Sequence, residues 1–134
     1  MDELSIEARL ENLDAVIDFV DARLGDCPEP VRNRIGLAVD EIFSNIARYA
    51  YHPATGGATV RVAVDPDAVV VEFEDDGAAY NPLSAPVPDF APPAEKRDIG
   101  GLGIFMVKNL VDSAEYRREG NRNVLTIRSH SAVS

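Results

Sequence analysis

The sequence predicts an α+β fold, a two-layer sandwich in which helices cover one face of a mostly antiparallel sheet. Two observations predict it. In the first fifty residues apolar side chains recur every three or four positions, as they do in helices packed on a core. Later segments of strand-like composition are joined in pairs by short turns, as in hairpins. The chain of 134 residues fits a single domain, residues 1–134, and is long enough to bury a core.

The first half of the chain predicts one strand and two helices. Residues 4–8 alternate weakly in polarity and predict a short edge strand. Apolar residues spaced by three and four between Leu10 and Leu24 predict a helix, which Gly25 ends. A second and longer helix is predicted from Val31 to Ala50, where a similar apolar stripe runs.

The second half predicts two hairpins separated by a loop and a helix. The segments 59–64 and 69–74 form the first hairpin, because the turn between them reads Asp-Pro-Asp-Ala. Five prolines in the sixteen residues 82–97 predict a long exposed loop. A third helix is then expected over 99–111, and a closing hairpin over 115–128.

Composition limits the partners of this protein. Thirteen basic residues against 23 acidic ones give a net charge of −10, so nucleic acid and anionic membrane surfaces are not expected to bind. A polyanionic small molecule would need local donors and a divalent cation. The single cysteine excludes an internal disulfide, and without a leader-like segment or an apolar run of about 20 residues the expected location is the cytoplasm.

Glu41 and Asn45 form the first candidate constellation. They are four residues apart in the second predicted helix, which places a carboxylate and an amide oxygen one turn apart on the same face. Mg²⁺ keeps several waters and needs few protein ligands, so one Asn oxygen can hold it while Glu remains a base. Taken alone, a Glu and an Asn four residues apart are more typical of a solvated helix face.

The stretch Glu-Asp-Asp-Gly at residues 74–77 forms the second. A carboxylate fixed at the end of a strand can accept a hydrogen bond from the amino group of adenine, and glycine beside it lets the flat base approach the backbone. Taken alone, Asp-Gly is also a common turn.

Three glycines form the third candidate constellation, in the stretch DIGGLGIFMVKNL at residues 98–110. Gly100, Gly101 and Gly103 precede a predicted helix, where bare N–H groups can bind phosphate. A hinge that only redirects the chain is the alternative. The six-residue dinucleotide fingerprint is absent, since no parallel βαβ unit surrounds these glycines.

Taken together and in this order, the three boxes resemble the GHKL superfamily of ATPases, and within it the small anti-sigma factor serine kinases of bacteria. The resemblance covers nearly the whole chain. It rests on three stretches: EIFSNIARYAY, DDGAAYNP and GGLGIFMVKNL. It implies a fold of the GHKL ATPase type, ATP and Mg²⁺ as cofactors, and a lid formed by residues 83–97.

The resemblance also implies roles for individual residues. Glu41 would be the general base and Asn45 the protein ligand of Mg²⁺. Asp75, with Gly77 beside it, would bind adenine. The remaining nucleotide-binding residues would be Arg48, Tyr80, Gly100, Gly101, Leu102, Gly103, Ile104 and Thr126. Two positions depart from the family pattern, since Tyr49 stands where His is frequent and Tyr80 where Phe is frequent.

The function implied is transfer of the γ-phosphoryl group of Mg·ATP to a serine of a STAS-type anti-anti-sigma protein. A sigma factor would be a second partner, and the protein would be a homodimer. A module that binds nucleotide and sequesters a sigma factor or another regulator without catalysis is the alternative. The ATPase domain of a histidine kinase is a weaker alternative, because no helical dimerisation and phosphoacceptor segment precedes the boxes.

Overall fold

The computed structural model describes residues 1–51, 54–84 and 106–131. The elements follow the predicted order, and the predicted α+β class is confirmed. Residues 106–110 are helical and belong to the third predicted helix. The full-length elements are β1 (Asp2–Glu7), α1 (Leu13–Arg23), α2 (Glu29–Tyr49), β2 (Gly57–Val64), β3 (Ala68–Asp75), β4 (Ser113–Glu119) and β5 (Arg122–His130).

The five strands form one antiparallel sheet in the order β1-β2-β3-β5-β4, with β1 at an edge as predicted. Alternation along β3 separates its two faces. Val71 and Phe73 are buried in the core, whereas Glu72 and Glu74 lie on the opposite face and pair with Arg61 at 3.2 and 3.3 Å. The face opposite the helices is therefore charged, and the core lies between the sheet and α1 and α2.

Helix α2 positions most of the residues discussed below. Its 21 residues extend for about 31 Å, and a buried stripe that includes Ile35, Ile42 and Phe43 packs toward the sheet. Arg32 of α2 donates two hydrogen bonds to the Asp21 carboxylate of α1, at 3.1 and 2.7 Å. These bonds lower the pKa of Asp21 and join the two helices.

The observed boundaries differ from the predicted ones by a few residues. The apolar stripe predicted to begin a helix at Leu10 starts instead in a 3-10 turn, Leu10–Asn12, and Leu10 is exposed. Most of the predicted loop and the start of the third helix lie outside the described residues. No helix in the described part of the chain is long and apolar enough to cross a membrane.

Candidate functional site

A cavity of about 450 Å³ opens between the C-terminal half of α2 and the adjoining end of the sheet. This volume lies within the range of small-molecule sites. Apolar side chains from α2, β3 and β5 form much of its wall, and a few polar groups face it. Its lining includes Ile42, Asn45, Ile46, Tyr49, Ala50, Phe73, Asp75, Ala78, Ala79, Tyr80, Pro82, Tyr116, Asn123 and Leu125.

Asp75 is the carboxylate of this cavity. It lies at the end of β3 and is 7% exposed. Its Oδ1 accepts hydrogen bonds from the Gly77 N–H at 2.9 Å and from Asn123 Nδ2 at 3.0 Å. Two donors therefore fix the orientation of a carboxylate that faces an otherwise largely apolar space.

Gly77 is required by the backbone that packs on it. A Cβ atom at this position would lie 2.5 Å from the Ala50 carbonyl oxygen and 2.9 Å from Asp75 Oδ1. The sequence suggested that this glycine admits a base, whereas in the structure the group that approaches it most closely is the end of α2. The glycine thereby holds the Asp75 turn against the helix that carries Asn45.

We expect Gly77→Ala to destabilise the protein by roughly 1–3 kcal/mol, because a backbone oxygen cannot yield to the new methyl group without moving the turn. Gly36→Ala is the matched control. A Cβ at Gly36 meets no atom within 4 Å and lies inside α2, so this change should stabilise by about 0.5–1 kcal/mol. Thermal unfolding of both variants measures the difference, and equal effects would contradict it.

Tyr51 also stabilises the turn that follows Asp75. Its hydroxyl donates to the Gly57 carbonyl oxygen at 2.7 Å and accepts from the Asp76 N–H at 2.7 Å. Burial raises the pKa of the Tyr51 phenol, which stays neutral and can serve as donor and acceptor together. The phenol thus links the end of α2 to β2 and to the turn after Asp75.

Asn45 and Glu41 lie one turn apart on α2, as predicted. Asn45 lines the cavity, is 8% exposed, and its side chain has no hydrogen bond among the described residues. Glu41 is half-buried, and the pKa of its carboxyl is raised, first by burial and then by the negative charge of Asp40, while Arg48 opposes the shift. A raised pKa is typical of a carboxyl suited to general-base work.

The structure brings some predicted residues to the cavity and leaves others away from it. Tyr80 lines it, with its ring about half exposed. Arg48 is exposed on α2 and is not among the described lining residues, although its charge acts on Glu41. The predicted phosphate-binding segment 100–104 lies outside the described residues.

Thr126 lies on the opposite face of the sheet, which corrects its predicted place beside the nucleotide. It pairs across the strands with Glu72, and its hydroxyl is 3.5 Å from a carboxylate oxygen of that residue. Leu125 and Ile127 of β5 are buried in the core, so strand alternation directs Thr126 away from the cavity.

Asn123 occupies the position that sequence reasoning missed. It lies directly opposite Asp75 in the β3–β5 register and is 7% exposed. A signal for it existed in the sequence: the core-facing Leu125 and Ile127 have odd numbers, and the same alternation places 123 on their face.

The residues present fit a cation that arrives with phosphate. No cluster of three or more His, Cys, Asp or Glu residues suited to a metal occurs in the described ranges. Mg²⁺ needs no such cage when waters and substrate phosphates complete its coordination. The Asn45 amide lies in a cavity with an acidic group at another wall, has no hydrogen bond to the part of the chain that the structure describes, and could offer the single hard oxygen that such an ion needs.

Comparison with known proteins finds one ATPase domain family and several protein kinases that are similar to this chain. The family described as "Histidine kinase-like ATPase domain" matches residues 6–129. The chain is 32% identical over 105 residues to a serine/threonine-protein kinase BtrW of Bordetella bronchiseptica, covering 76% of this chain and 72% of that protein. A serine-protein kinase RsbW of Bacillus cereus is 27% identical over 109 residues, covering 71% and 68%.

Two further matches extend the comparison. An RsbW of Listeria monocytogenes is 30% identical over 97 residues, covering 67% of this chain and 61% of that protein. Among solved structures, the mycobacterial sensor histidine kinase MprB superposes with a TM-score of 0.53 at 19% identity, covering 95% of this chain and 97% of that chain. This last likeness concerns the fold alone.

Proposed function

Because the chain belongs to the histidine kinase-like ATPase domain family, we propose that it is a serine/threonine protein kinase of the anti-sigma factor type. It binds Mg·ATP in the cavity between α2 and the sheet and transfers the γ-phosphoryl group to a serine of a STAS-type partner protein. A sigma factor is its second partner, and the protein acts in the cytoplasm as a homodimer. The relatives named serine-protein kinases support this activity.

One observation carries the proposal most directly. Asp75, held by two donors, and Asn45, unbonded in the described part of the chain, line one cavity whose other walls are largely apolar. An aromatic base needs apolar walls and an acceptor for its amino group, and the phosphates need a cation with an oxygen ligand. The cavity offers these features together.

The chain's own residues divide the work of phosphoryl transfer, which needs mainly positioning and neutralisation of charge. Asp75 selects and orients the base. Asn45 would hold Mg²⁺, which would neutralise phosphate charge when bound. Glu41 would accept the proton of the serine hydroxyl, and the glycines of the 100–104 segment are proposed as the phosphate contacts.

A second function is favoured by one observation. Among the described residues Glu41 does not line the cavity. A protein that uses nucleotide only to set its affinity for a sigma factor or another regulator would not need a base there. This alternative shares the nucleotide site and differs in lacking turnover.

Incubation with γ-labelled ATP, Mg²⁺ and STAS proteins encoded near its gene tests both functions. A kinase yields labelled phosphoserine on one candidate, while a binding module forms a nucleotide-dependent complex and leaves the label on ATP. If neither label transfer nor nucleotide binding occurs, both proposals are wrong.

We expect Asp75→Asn to lower ATP affinity by about 10- to 100-fold and to reduce the preference for ATP over GTP. The amide oxygen can still accept from Gly77 and Asn123, which turns the amide nitrogen, a donor, toward the base. Asp76→Asn is the control, because the Asp76 side chain is 69% exposed and faces Arg122. Competition binding with both nucleotides measures the ratio, and an unchanged preference in Asp75→Asn would contradict the role of Asp75.

A further inference from the structure

Asn123 makes more hydrogen bonds at the cavity than its position in a strand requires. Its Nδ2 donates to Asp75 Oδ1 at 3.0 Å and to the Ala78 carbonyl oxygen at 2.9 Å. Its Oδ1 accepts from the Tyr116 hydroxyl at 2.6 Å, from Arg118 Nη1 at 3.1 Å and from the Tyr80 N–H at 3.3 Å. The side chain is almost fully buried, so these bonds are shielded from water.

The partners leave only one orientation for this amide. Arg118 and the Tyr80 backbone N–H can only donate, so the atom that they contact must be the oxygen. The Asp75 carboxylate and the Ala78 carbonyl can only accept, so they must face the nitrogen. The Asn123 amide is therefore a fixed donor toward Asp75.

The consequence falls on Asp75. Gly77 and Asn123 both donate to Oδ1, and no donor within the described ranges binds Oδ2. Oδ1 therefore has two donors, whereas Oδ2 of this cavity-lining residue has none among the described residues and remains available as an acceptor. Asn123 also holds the Ala78–Tyr80 turn, together with Arg118, which donates to the Gly77 carbonyl oxygen at 2.9 Å.

We infer that Asn123 is a positioning residue, which fixes the Asp75 carboxylate so that its second oxygen receives the amino group of a purine. Specificity for a 6-aminopurine over a 6-oxopurine then depends on the Asn123–Asp75 pair and not on Asp75 alone. This inference rests on the proposed binding of ATP. It gives to Asn123 the place at the nucleotide site that the resemblance had implied for Thr126.

Asn123→Asp is the sharpest test, because it keeps the size of the side chain. The new carboxylate would retain Tyr116 and Arg118 on one oxygen and turn the other, an acceptor, toward Asp75 and the Ala78 carbonyl. Four neighbouring groups affect the ionisation of the two carboxylates at positions 75 and 123. They are the Arg118 guanidinium, the Tyr116 and Tyr51 hydroxyls and the Asp76 carboxylate. Two carboxylates in contact ionise together only at a cost, so acidification should supply the shared proton that restores their bond.

The measurement is displacement of a fluorescent ATP analogue by ATP and by GTP, with Mg²⁺, between pH 8 and pH 5.5. For Asn123→Asp we expect ATP affinity to fall roughly 10- to 100-fold at pH 8, with loss of the preference over GTP, and to recover toward pH 5.5. Thr126→Val, three residues along the same strand but on the other face, should retain the wild-type affinity, nucleotide ratio and pH profile.

Tyr116→Phe supplies a second variant that keeps the partly buried ring and removes one donor to Asn123. We expect a smaller loss of ATP affinity, about 3- to 10-fold, with the ATP-to-GTP ratio reduced in the same direction. Thermal unfolding of each variant shows whether a loss of ATP affinity comes from destabilisation of the fold.

The outcomes separate this inference from the proposed function. If the wild type does not bind ATP, the proposed function and the inference are both wrong. If the wild type binds ATP and Asn123→Asp keeps the same nucleotide ratio and pH profile, the inference alone is wrong. Equal losses in Asn123→Asp and Thr126→Val would also overturn it.

Discussion

Glu41→Gln is expected to lower the rate of phosphoryl transfer by about 10²–10⁴-fold while leaving ATP affinity nearly unchanged. The carboxyl lies one turn from Asn45 but is not among the described residues that line the cavity. Its removal should therefore affect the acceptance of the serine proton and not the holding of the nucleotide. Single-turnover transfer of labelled phosphate and calorimetric titration of ATP measure the two quantities separately.

The pH dependence of the rate sharpens this prediction. Burial raises the pKa of Glu41, and the Asp40 charge raises it further, so this carboxyl becomes protonated at a higher pH than an ordinary glutamate. The transfer rate should fall as pH decreases through that raised pKa. Asp40→Asn removes a neighbouring negative charge and should move this fall to lower pH without abolishing activity.

The stability of the fold should depend on pH in the opposite direction to the transfer rate, which gives an independent control. A carboxyl whose pKa is raised on folding favours the folded state when it is protonated, and this contribution is lost as pH rises through the raised pKa. Glu41→Gln should therefore be no less stable than the wild type near pH 8. If the variant transferred phosphate at the wild-type rate, Glu41 would not be the base.

The sequence was sufficient for contacts that lie within one element. The spacing of Glu41 and Asn45 predicts their common face because a helix has a fixed period, and Asp75 was expected at a strand end because β-branched residues lead directly to it. The helices and strands with described residues also occur in the predicted order, because the local sequence pattern of each one predicts it.

Contacts between distant elements were not predictable in the same way. Asn123 donates to a carboxylate 48 positions earlier, and that contact depends on the register of β3 against β5. Because strand faces alternate, Thr126, three residues after Asn123 on β5, lies on the opposite face of the sheet from the cavity. The approach of the Ala50 carbonyl to Gly77 is a further contact that local pattern does not contain.

Asn45→Ala is expected to abolish the Mg²⁺-dependent part of ATP binding. Changes to groups that only support metal ligands commonly cost 10–100-fold in metal affinity, so loss of a direct ligand should cost at least about tenfold. The Asn45 side chain makes no hydrogen bond among the described residues, so its truncation should disturb the fold little. Titration of ATP with Mg²⁺ and again with EDTA isolates the metal-dependent part.

Ser44→Ala is the matched control for Asn45→Ala. Ser44 is the preceding residue on α2, is equally buried, and donates to Asp40 at 3.2 Å without lining the cavity among the described residues. It should therefore leave the Mg²⁺ dependence of binding as in the wild type. In Asn45→Ala the affinity measured with Mg²⁺ should fall to the EDTA value, because the phosphates would then meet an acidic protein without a protein-held cation. Unchanged affinity with Mg²⁺ would place the metal ligand elsewhere in the chain.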